Sequence, residues 1–448
     1  MKTLLAPAAL LDDGWHADVA IAIDGDGRIA MVTPRASGVQ VDERLKGPVV
    51  PAMPNLHSHA FQRAIAGRTG TPSPTRDDTF WTWRQAMYAA VDRLDADAFE
   101  AIAAQAYVEM AKAGYASVAE FHYVHHDPHG KPYADPAELA WRIVGAAETA
   151  EMGLTLLPVF YAHGDFGGAA STPSQRRFVQ SVYTFEKLCD ALARGALARR
   201  YVLGVAPHSL RAVTPQELAK IVHLVPPHAP IHIHAAEQTR EVDDCHKWSG
   251  QRPVEWLLAH ANVDARWCVV HATHMTEREV AGLAASGTVA GLAPSTEADL
   301  GDGIFPAEAY VQAGGCFGIG CDSNTMIDPF AEVRQLEWSQ RLRLRRRNVL
   351  AGTNAPVGET IAPLAKTSAP IGETLAPRRS DAPIGETLWC AVARGGAQAL
   401  GMATGRLVAG ARADLIVLDV EDPALVEQPL ASVLDAAIFG PCRHRCAT

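Results

Sequence analysis

The chain has 448 residues, a formal net charge of -10 and 48% hydrophobic residues. This length allows one large domain with a smaller one, and a sizeable core. The acidic balance argues against a nucleic-acid partner, because phosphate binding needs a basic face. The eight Cys are scattered without a CxxC pair. That usage excludes a disulfide framework or a cysteine zinc site and favours the reducing cytoplasm.

The two chain ends share a strand-like pattern. The N-terminal "MKTLLAPAALLDDGW" predicts a first strand and turn rather than an export signal, because acidic residues follow and no small-residue cleavage site does. Residues 1–46 alternate apolar and polar positions, and "GRLVAGARADLIVLD" (405–419) has the same character. We expect 1–46 and 405–448 to form a small β-sandwich domain. No apolar run approaches the ~20 residues of a membrane span.

Between the ends, eight short apolar runs alternate with stretches of helical pattern. Runs this apolar suit parallel strands buried on both faces. Intervening stretches such as 95–114 and 214–225 begin with N-cap residues, as helices do. The alternation predicts an α/β fold, a (β/α)8 TIM-like barrel over 47–404. The eight runs lie at 47–57, 115–121, 154–160, 201–207, 230–236, 267–272, 288–294 and 316–322.

Residues 351–388 contain a short repeat. "APVGETI" at 355 is followed by "APIGETL" at 369 and again at 382, in a context rich in Pro, Ala and Thr. The repeat is too short for a solenoid and lacks a core-forming period, so it predicts a flexible inserted loop. A repeat expansion without function is one interpretation, and a peptide-like docking element is the other.

Metal-binding residue types stand at the ends of several predicted strands. His57 and His59 are two apart, so they face the same side of strand one. Strand five ends with His232 and His234, and strand eight ends with Asp322. Active sites of such barrels gather at the carboxyl ends of the strands. We therefore predict that His57, His59, His234 and Asp322 bind one divalent ion and leave a position for water.

Two further residues are candidates for acid–base work. Glu237 lies three residues after His234, in the loop above strand five, and is predicted to be a proton shuttle. Alternatively, Glu237 is an ordinary solvated carboxylate or the N-cap of a helix. His271 ends strand six and is predicted to hydrogen-bond the water or the developing tetrahedral centre. Alternatively, His271 is a buried histidine that forms ordinary hydrogen bonds and takes no part in the reaction.

Longer motifs carry a family resemblance. "PNLHSHAFQRAIAG", "TFWTWRQAMY", "VAPHSLRAVTP" and "HIHAAEQTREVDDC" resemble the mononuclear deaminase branch of the amidohydrolase superfamily, and within it the formimidoylglutamate deiminases. The resemblance covers residues 1 to about 350 and about 388 to 437. It implies hydrolysis of N-formimino-L-glutamate to N-formyl-L-glutamate and ammonia, in histidine degradation. It also implies one Zn2+ per subunit and a cytoplasmic homodimer.

The resemblance also implies residue roles. It makes His57, His59, His234 and Asp322 the zinc ligands, and Glu237, His271 and Asp322 the catalytic residues. The substrate has two carboxylates and a cationic formamidine, and Arg binds a carboxylate through two parallel hydrogen bonds. Taken alone, Arg84 or Arg211 would be expected at the solvated surface. Arg63 has no implied role and is expected to form a surface salt bridge. The implied substrate-binding residues are Gln62, Arg84, Tyr123, His208 and Arg211.

The expected mechanism is metal-assisted hydrolysis. Zinc lowers the pKa of a bound water toward about 7, so that hydroxide is available to attack the formimino carbon. Asp322 and His271 help to take up the water proton, and Glu237 relays protons to the nitrogen that leaves as ammonia. Such ligands also accept iron or manganese. The alternatives are a deaminase of a guanine-like or cytosine-like ring and, more remotely, a catalytically silent binding protein.

Three departures from the family pattern affect these expectations, the first of which is the repeat insertion at 351–388. Cys321 stands where related barrels often have Ser beside the metal-binding Asp, and we expect its side chain to point away from the metal. The C-terminal "IFGPCRHRCAT" lacks an expected closing strand, so the second part of the small domain is predicted to be truncated or divergent. Cys442 and Cys446 could pair or bind metal there, although a divergent tail is favoured.

Overall fold

The computed structural model describes residues 1–36, 38–72, 77–351 and 382–442. Its N-terminal region consists of paired strands, as the sequence predicts, but β1 and β2 contain runs of consecutive buried residues rather than a strict alternation of buried and exposed positions. These strands are β1 (Lys2–Leu11), β2 (Gly14–Ile23), β3 (Ile29–Thr33), β4 (Glu43–Arg44) and β5 (Val49–Pro51).

The central region forms the barrel, whose strands pair in parallel as two arcs. Isolated parallel bridges, Val205 with Ile231 and Ser58 with Asp322, join the arcs on both sides. The predicted (β/α)8 barrel is therefore confirmed. The first arc contains β6 (Met53–Ser58), β7 (Tyr115–His122), β8 (Gly153–Phe160), β9 (Val202–Leu203) and β10 (Ala206–Pro207). The second contains β11 (Ile231–Ala235), β12 (Trp267–His271), β13 (Val289–Leu292) and β14 (Cys316–Ile319).

Helices connect the barrel strands and cover them. Several begin with a capping side chain: Thr214 and Thr276, for example, accept hydrogen bonds from the amides of Glu217 and Glu279. The helices up to β12 are α1 (Phe80–Val91), α2 (Ala96–Ala113), α3 (Glu138–Thr149), α4 (Val182–Arg199), α5 (Pro215–Ile221), α6 (Thr239–Ser249) and α7 (Pro253–His260). Those after β12 are α8 (Glu277–Ala285), α9 (Pro294–Leu300), α10 (Ala307–Gln312), α11 (Pro329–Leu344), α12 (Ile384–Leu400) and α13 (Val433–Phe439).

Both chain ends contribute to the sheet of the small domain. Strand β15 (Leu415–Val417) pairs antiparallel with β5, which pairs with β1. The predicted strand 47–57 is therefore two strands, since β5 lies in this sheet and β6 in the barrel. The break follows Pro51, where the Ala52 amide donates to the Asp414 carbonyl instead of to a barrel strand.

Two expectations for the C-terminal third need correction. The third repeat copy, 382–388, is not a loop, because Ile384 begins α12 and Leu388 is fully buried there. The earlier copies lie outside the described residues. Residues 405–448 were expected in the small domain, but α13 packs on α11 and α12. Its apolar residues Leu434 and Ile438 are buried in the main core, which explains this placement.

The described residues contain no helix that combines the length and the apolar character needed to cross a bilayer.

Gly395 offers a test of how closely α12 packs on the barrel. A Cβ added at Gly395 would lie 1.9 Å from the carbonyl oxygen of Phe317 in β14. Ala normally stabilises a helix interior by about 1 kcal/mol relative to Gly. Because a strand carbonyl cannot move aside, we expect G395A to lower the free energy of unfolding by about 1–3 kcal/mol, measured by urea denaturation.

Gly145 in α3 is the matched control. Its added Cβ would meet the end of the Glu100 side chain at 2.9 Å, and that side chain can rotate away. G145A is expected to be neutral or stabilising. A G395A protein as stable as the wild type would show that α12 does not approach β14 this closely.

Candidate metal centre and its surroundings

The closure of the barrel brings three of the predicted ligands together. The Asp322 amide donates to the His57 carbonyl at 2.9 Å, and the His59 amide donates to the Asp322 carbonyl at 2.9 Å. The Asn324 side chain adds hydrogen bonds from Nδ2 to the carbonyls of His59 (3.0 Å) and Asp322 (3.1 Å). We call this pairing of 57–59 with 322–324 the closing seam.

The side chains of the seam converge with His234. One potential ligand atom from each of His57, His59, His234 and Asp322 lies within 4.8 Å of the others, and all four residues are buried. Asp322 Oδ1 is 3.4 Å from His57 Nε2 and 3.3 Å from His59 Nε2. His234 Nε2 is 3.0 Å from His57 Nε2. The cluster suits a divalent metal ion, since three nitrogens and a carboxylate are a common donor set.

The hydrogen bonds behind the cluster support this fit. His59 Nδ1 is 3.1 Å from the Phe121 carbonyl, and His234 Nδ1 is 3.0 Å from the His208 carbonyl. A carbonyl can only accept, so each Nδ1 carries the proton and each Nε2 presents its lone pair to the cluster. Burial lowers the pKa of His57 to about 3, which keeps its ring in the neutral form that binds metals.

His232 lies outside this cluster, although it is two residues from His234 on the same strand. Its Nε2 is 2.8 Å from the carbonyl of Ala399 in α12. Strand β11 therefore supplies His234 to the cluster and His232 to the packing of α12 on the barrel.

Glu237 and His271 lie beside the cluster, as predicted. His271 Nε2 is 3.7 Å from Glu237 Oε1 and 3.9 Å from Asp322 Oδ2. Burial raises the pKa of Glu237 to about 7, and the positive charges of His271 and Arg211 only partly offset it. For His271, burial acts against protonation, but the carboxylates of Glu237, Glu297 and Asp322 outweigh it and raise the pKa to about 10. The two groups together can hold and exchange a proton near neutral pH.

The backbone at the strand ends is locally strained. His271 (φ 68°), Ala272 (φ 48°) and Asp322 (φ 46°) adopt left-handed conformations without being glycine, as do Ala236 and Asn324. Such conformations cost free energy and persist where surrounding structure enforces them, often at functional sites. Here they lie at or directly beside residues of the cluster and the closing seam.

Two of the predicted substrate-binding residues, Arg211 and Arg84, face the site with unused hydrogen-bonding capacity. Arg211 Nη2 is 3.8 Å from Glu237 Oε2, and the Arg211 side chain is buried. The Nε atoms of Arg211 and Arg84 are buried and have no hydrogen-bond partner among the described residues. Unsatisfied guanidinium donors are costly inside a protein, so both point to an anionic ligand.

The other three predicted residues, Gln62, Tyr123 and His208, contact the imidazoles of the cluster or one another. Gln62 Nε2 donates to Tyr123 Oη at 3.0 Å, and the Tyr123 ring is 5.0 Å from the His59 ring. The His208 ring is 5.0 Å from the His234 ring and 5.7 Å from the Tyr123 ring. The structure thus brings the predicted site residues together around the metal-binding cluster. Arg63, as expected, forms an ion pair with Glu109 (2.7 Å).

Sequence analysis missed three residues of this region. Glu297 in α9 lies behind His271, with Oε1 3.3 Å from His271 Nδ1. Asp302 is buried, accepts a hydrogen bond from Gln238, and has a pKa raised to about 9 by burial and by Glu237. Trp81 lies against Arg84 and Arg211. The "FWTWR" motif contains Trp81, and the motif "APSTEADLGDGIFPA" (293–307), which also resembles the family, contains Glu297 and Asp302, but neither motif by itself shows the contacts with His271 and Gln238.

Comparison with known proteins agrees with this architecture. Residues 49–440 match the model of the Amidohydrolase family, and residues 1–46 match that of the "Formimidoylglutamate deiminase HutF, N-terminal domain". A crystal structure of an amidohydrolase from Brucella melitensis has a TM-score of 0.88 and 46% identity, covering 100% of this chain and 92% of that one. A zinc-containing adenosine deaminase from Xanthomonas campestris shares the fold, with a TM-score of 0.74 and 20% identity over 99% of this chain and 90% of that one.

Curated relatives narrow the family further. Formimidoylglutamate deiminase of Pseudomonas aeruginosa is 48% identical over 98% of this chain and 91% of its own length. A 5-methylthioadenosine/S-adenosylhomocysteine deaminase of Haloarcula marismortui is 26% identical over 95% of this chain and 85% of its own length. The chain therefore belongs to the amidohydrolase family and, within it, to the formimidoylglutamate deiminase family.

Proposed function

We propose that the protein catalyses the zinc-dependent hydrolysis of N-formimino-L-glutamate to N-formyl-L-glutamate and ammonia, a step of histidine degradation. The observation that carries this proposal is that a metal-binding cluster and two guanidinium groups with unused donors share one site. Arg211 connects the two parts, because it lies 3.8 Å from Glu237, which lies 3.7 Å from His271. The name of the P. aeruginosa relative supports the same substrate.

In this proposal His57, His59, His234 and Asp322 hold the zinc ion. When bound, the ion supplies Lewis acidity, which lowers the pKa of water at the site to about 7. Asp322 contributes negative charge beside the water and, with His271, orients it toward the formimino carbon. His271 is itself held in place by its contact with Glu297.

The reaction adds the water oxygen to the formimino carbon and breaks the bond to the terminal nitrogen. Glu237 has a raised pKa near 7, so it can accept a proton from water and give it to the departing nitrogen. His271 donates a hydrogen bond to oxygen as negative charge develops there. Both protons of the water end on the departing nitrogen, the second when the hydroxyl of the tetrahedral intermediate becomes the formyl carbonyl, so that ammonia and the formyl product result.

Recognition of the substrate falls to the residues around this centre. We assign the two carboxylates to Arg84 and Arg211, whose Nε atoms are buried and unpaired within the described structure. Gln62, whose Oε1 is also buried and unpaired there, and Tyr123 add neutral hydrogen bonds, and His208 closes the wall next to His234. A ring deaminase would not need two carboxylate-binding arginines.

The wider setting of the enzyme is proposed on the same basis. The family resemblance supports a homodimer with one zinc ion per subunit, and the scattered cysteines support a cytoplasmic location. The limits expected from the sequence, 1–46 and 405–448 for the small domain and 47–404 for the barrel, are amended in two places, since β5 belongs to the small sheet and α13 packs on α11 and α12.

Zinc affinity should distinguish His234 from His232, the two histidines of strand β11. H234Q removes a proposed ligand, so its zinc affinity should fall by at least about 10- to 100-fold, the loss that even outer-shell changes cause. H232Q is the matched control, because His232 bonds the Ala399 carbonyl instead and should retain zinc. Both are measured by competition with a zinc-binding dye. Equal affinities for the two variants would remove His234 from the ligand set.

Replacement of Glu237 should separate chemistry from metal binding. E237Q has nearly the same shape but cannot accept a proton, so we expect kcat to fall by at least about 100-fold while the zinc content stays unchanged. Asp243, an exposed carboxylate on α6, provides the control D243N, which should be fully active. Near-wild-type turnover by metal-loaded E237Q would exclude the proton-shuttle role.

The substrate assignment is tested with the purified, zinc-loaded protein. Incubation with N-formimino-L-glutamate should release ammonia and N-formyl-L-glutamate in equal amounts. Adenosine and guanine, supplied in parallel, should release no ammonia, since the buried arginines would face no anion. Formamide and glutamate as products would mean that a different bond is cut, and ammonia from the purines alone would favour the ring-deaminase alternative.

A further inference from the structure

A third arginine lies at the rim of the site. Arg240 is in the first turn of α6, and its Cζ is 4.6 Å from the centre of the Trp81 ring. Arg84 Cζ is also 4.6 Å from that ring, and Arg211 Cζ is 5.9 Å from it. Three guanidinium groups from three different segments therefore surround one indole. We call Arg84, Arg211 and Arg240, with Trp81 between them, the arginine collar.

The collar leads from solvent to the reacting groups. The exposed fraction of the side chain is 63% for Arg240, 9% for Arg211 and 7% for Glu237. It is 1% for His271, which lies beside Asp322. Arg211 lies 3.8 Å from Glu237, and Glu237 lies 3.7 Å from His271, so these inner charged groups are in contact with one another. Arg240 and the buried Arg211 both lie within 6 Å of the Trp81 ring centre, so an anion that first meets Arg240 has only this ring to pass before it reaches Arg211.

The collar concentrates positive charge at the rim of the site in a chain that is acidic as a whole. The whole chain carries a net charge of -10, so an anionic substrate is repelled unless a local positive region opposes the overall field. Three like charges held near one ring also repel one another, and an anion bound beside them relieves that repulsion. Asp244 lies 3.4 Å from Arg240 and Glu237 lies 3.8 Å from Arg211, so neighbouring carboxylates offset the charge of the collar only in part.

Trp81 holds the three groups in a common place. A guanidinium near an indole is attracted to the negative face of the ring, and the attraction is stronger for partly desolvated pairs. Arg84 also lies 5.7 Å from the Tyr88 ring. The rings limit the freedom of the arginine side chains, so that less entropy is lost when an anion binds.

We propose that Arg240 and Trp81 form an outer subsite that captures a small dicarboxylate and passes it to Arg84 and Arg211. The inference rests on the proposed function for its substrate but concerns a residue that the reaction itself does not use. Because the subsite acts on approach, it contributes to kcat/KM and to its salt dependence rather than to kcat.

The test compares wild type, R240Q and R240K in the zinc-loaded enzyme. At low ionic strength, R240Q should lower kcat/KM for N-formimino-L-glutamate by about three- to ten-fold with kcat unchanged, and the difference should shrink as salt is added. R240K keeps the charge and should restore most of the loss. The dissociation constant of N-formyl-L-glutamate, a dicarboxylate, is measured in parallel by calorimetry and should rise in R240Q.

R200Q is the matched control. Arg200 is 79% exposed and pairs with Asp26 at 3.7 Å, so R200Q makes the same change in net charge far from the collar. It should match wild type in both readouts. Equal kcat/KM for R240Q and wild type at low salt, or failure of R240K to restore it, would overturn the outer subsite. Absence of turnover by wild type would instead refute the proposed function, and the calorimetric comparison would still decide the role of Arg240.

Discussion

The closing seam of the barrel is the constraint on which the site depends. Backbone hydrogen bonds between 57–59 and 322 complete the barrel and at the same time place three of the four proposed ligands side by side. Any opening of the barrel at this point would separate His59 from Asp322. The left-handed backbone of Asp322 and Asn324 is tolerated because the seam holds both residues from two sides. Fold stability and metal geometry are therefore properties of the same contacts.

Around that seam, charge is arranged in layers. The cluster of imidazoles and Asp322 is innermost, and buried carboxylates surround His271 on the next layer. Arginines form the outer layer, where Arg211 meets Glu237. This order reduces the free-energy cost of burying the charges, since the charged groups of one layer lie beside groups of opposite charge in the next. The carboxylates can then carry protons while the arginines remain available for a ligand.

Much of this could be predicted from the sequence because strand periodicity constrains side-chain direction. The pair His57 and His59, and the strand-end positions of His234 and Asp322, follow from the alternation of buried strands and helices. Residues that contribute from another element could not be found in this way. Glu297 reaches His271 through the packing of α9, and Arg240 reaches Trp81 through the approach of α6 to α1.

The errors have equally local causes. The run 47–57 is apolar throughout, so nothing in its composition marks the point at which it passes from the small sheet to the barrel. The repeat copy at 382–388 contains Pro and Gly, but it is followed by "WCAVARGGAQAL", which continues α12 and packs against β14. The residues after this copy therefore supply most of the buried face of the helix.

The most direct test of the account is the location of the metal. Crystals of the zinc-loaded protein, measured on both sides of the zinc absorption edge, would show where the ion lies. The account predicts one anomalous peak per chain, bounded by the three imidazole nitrogens and the Asp322 carboxylate. A peak elsewhere, for example beside the buried His122 and His125, would contradict it, because the closing seam would then not be the metal centre.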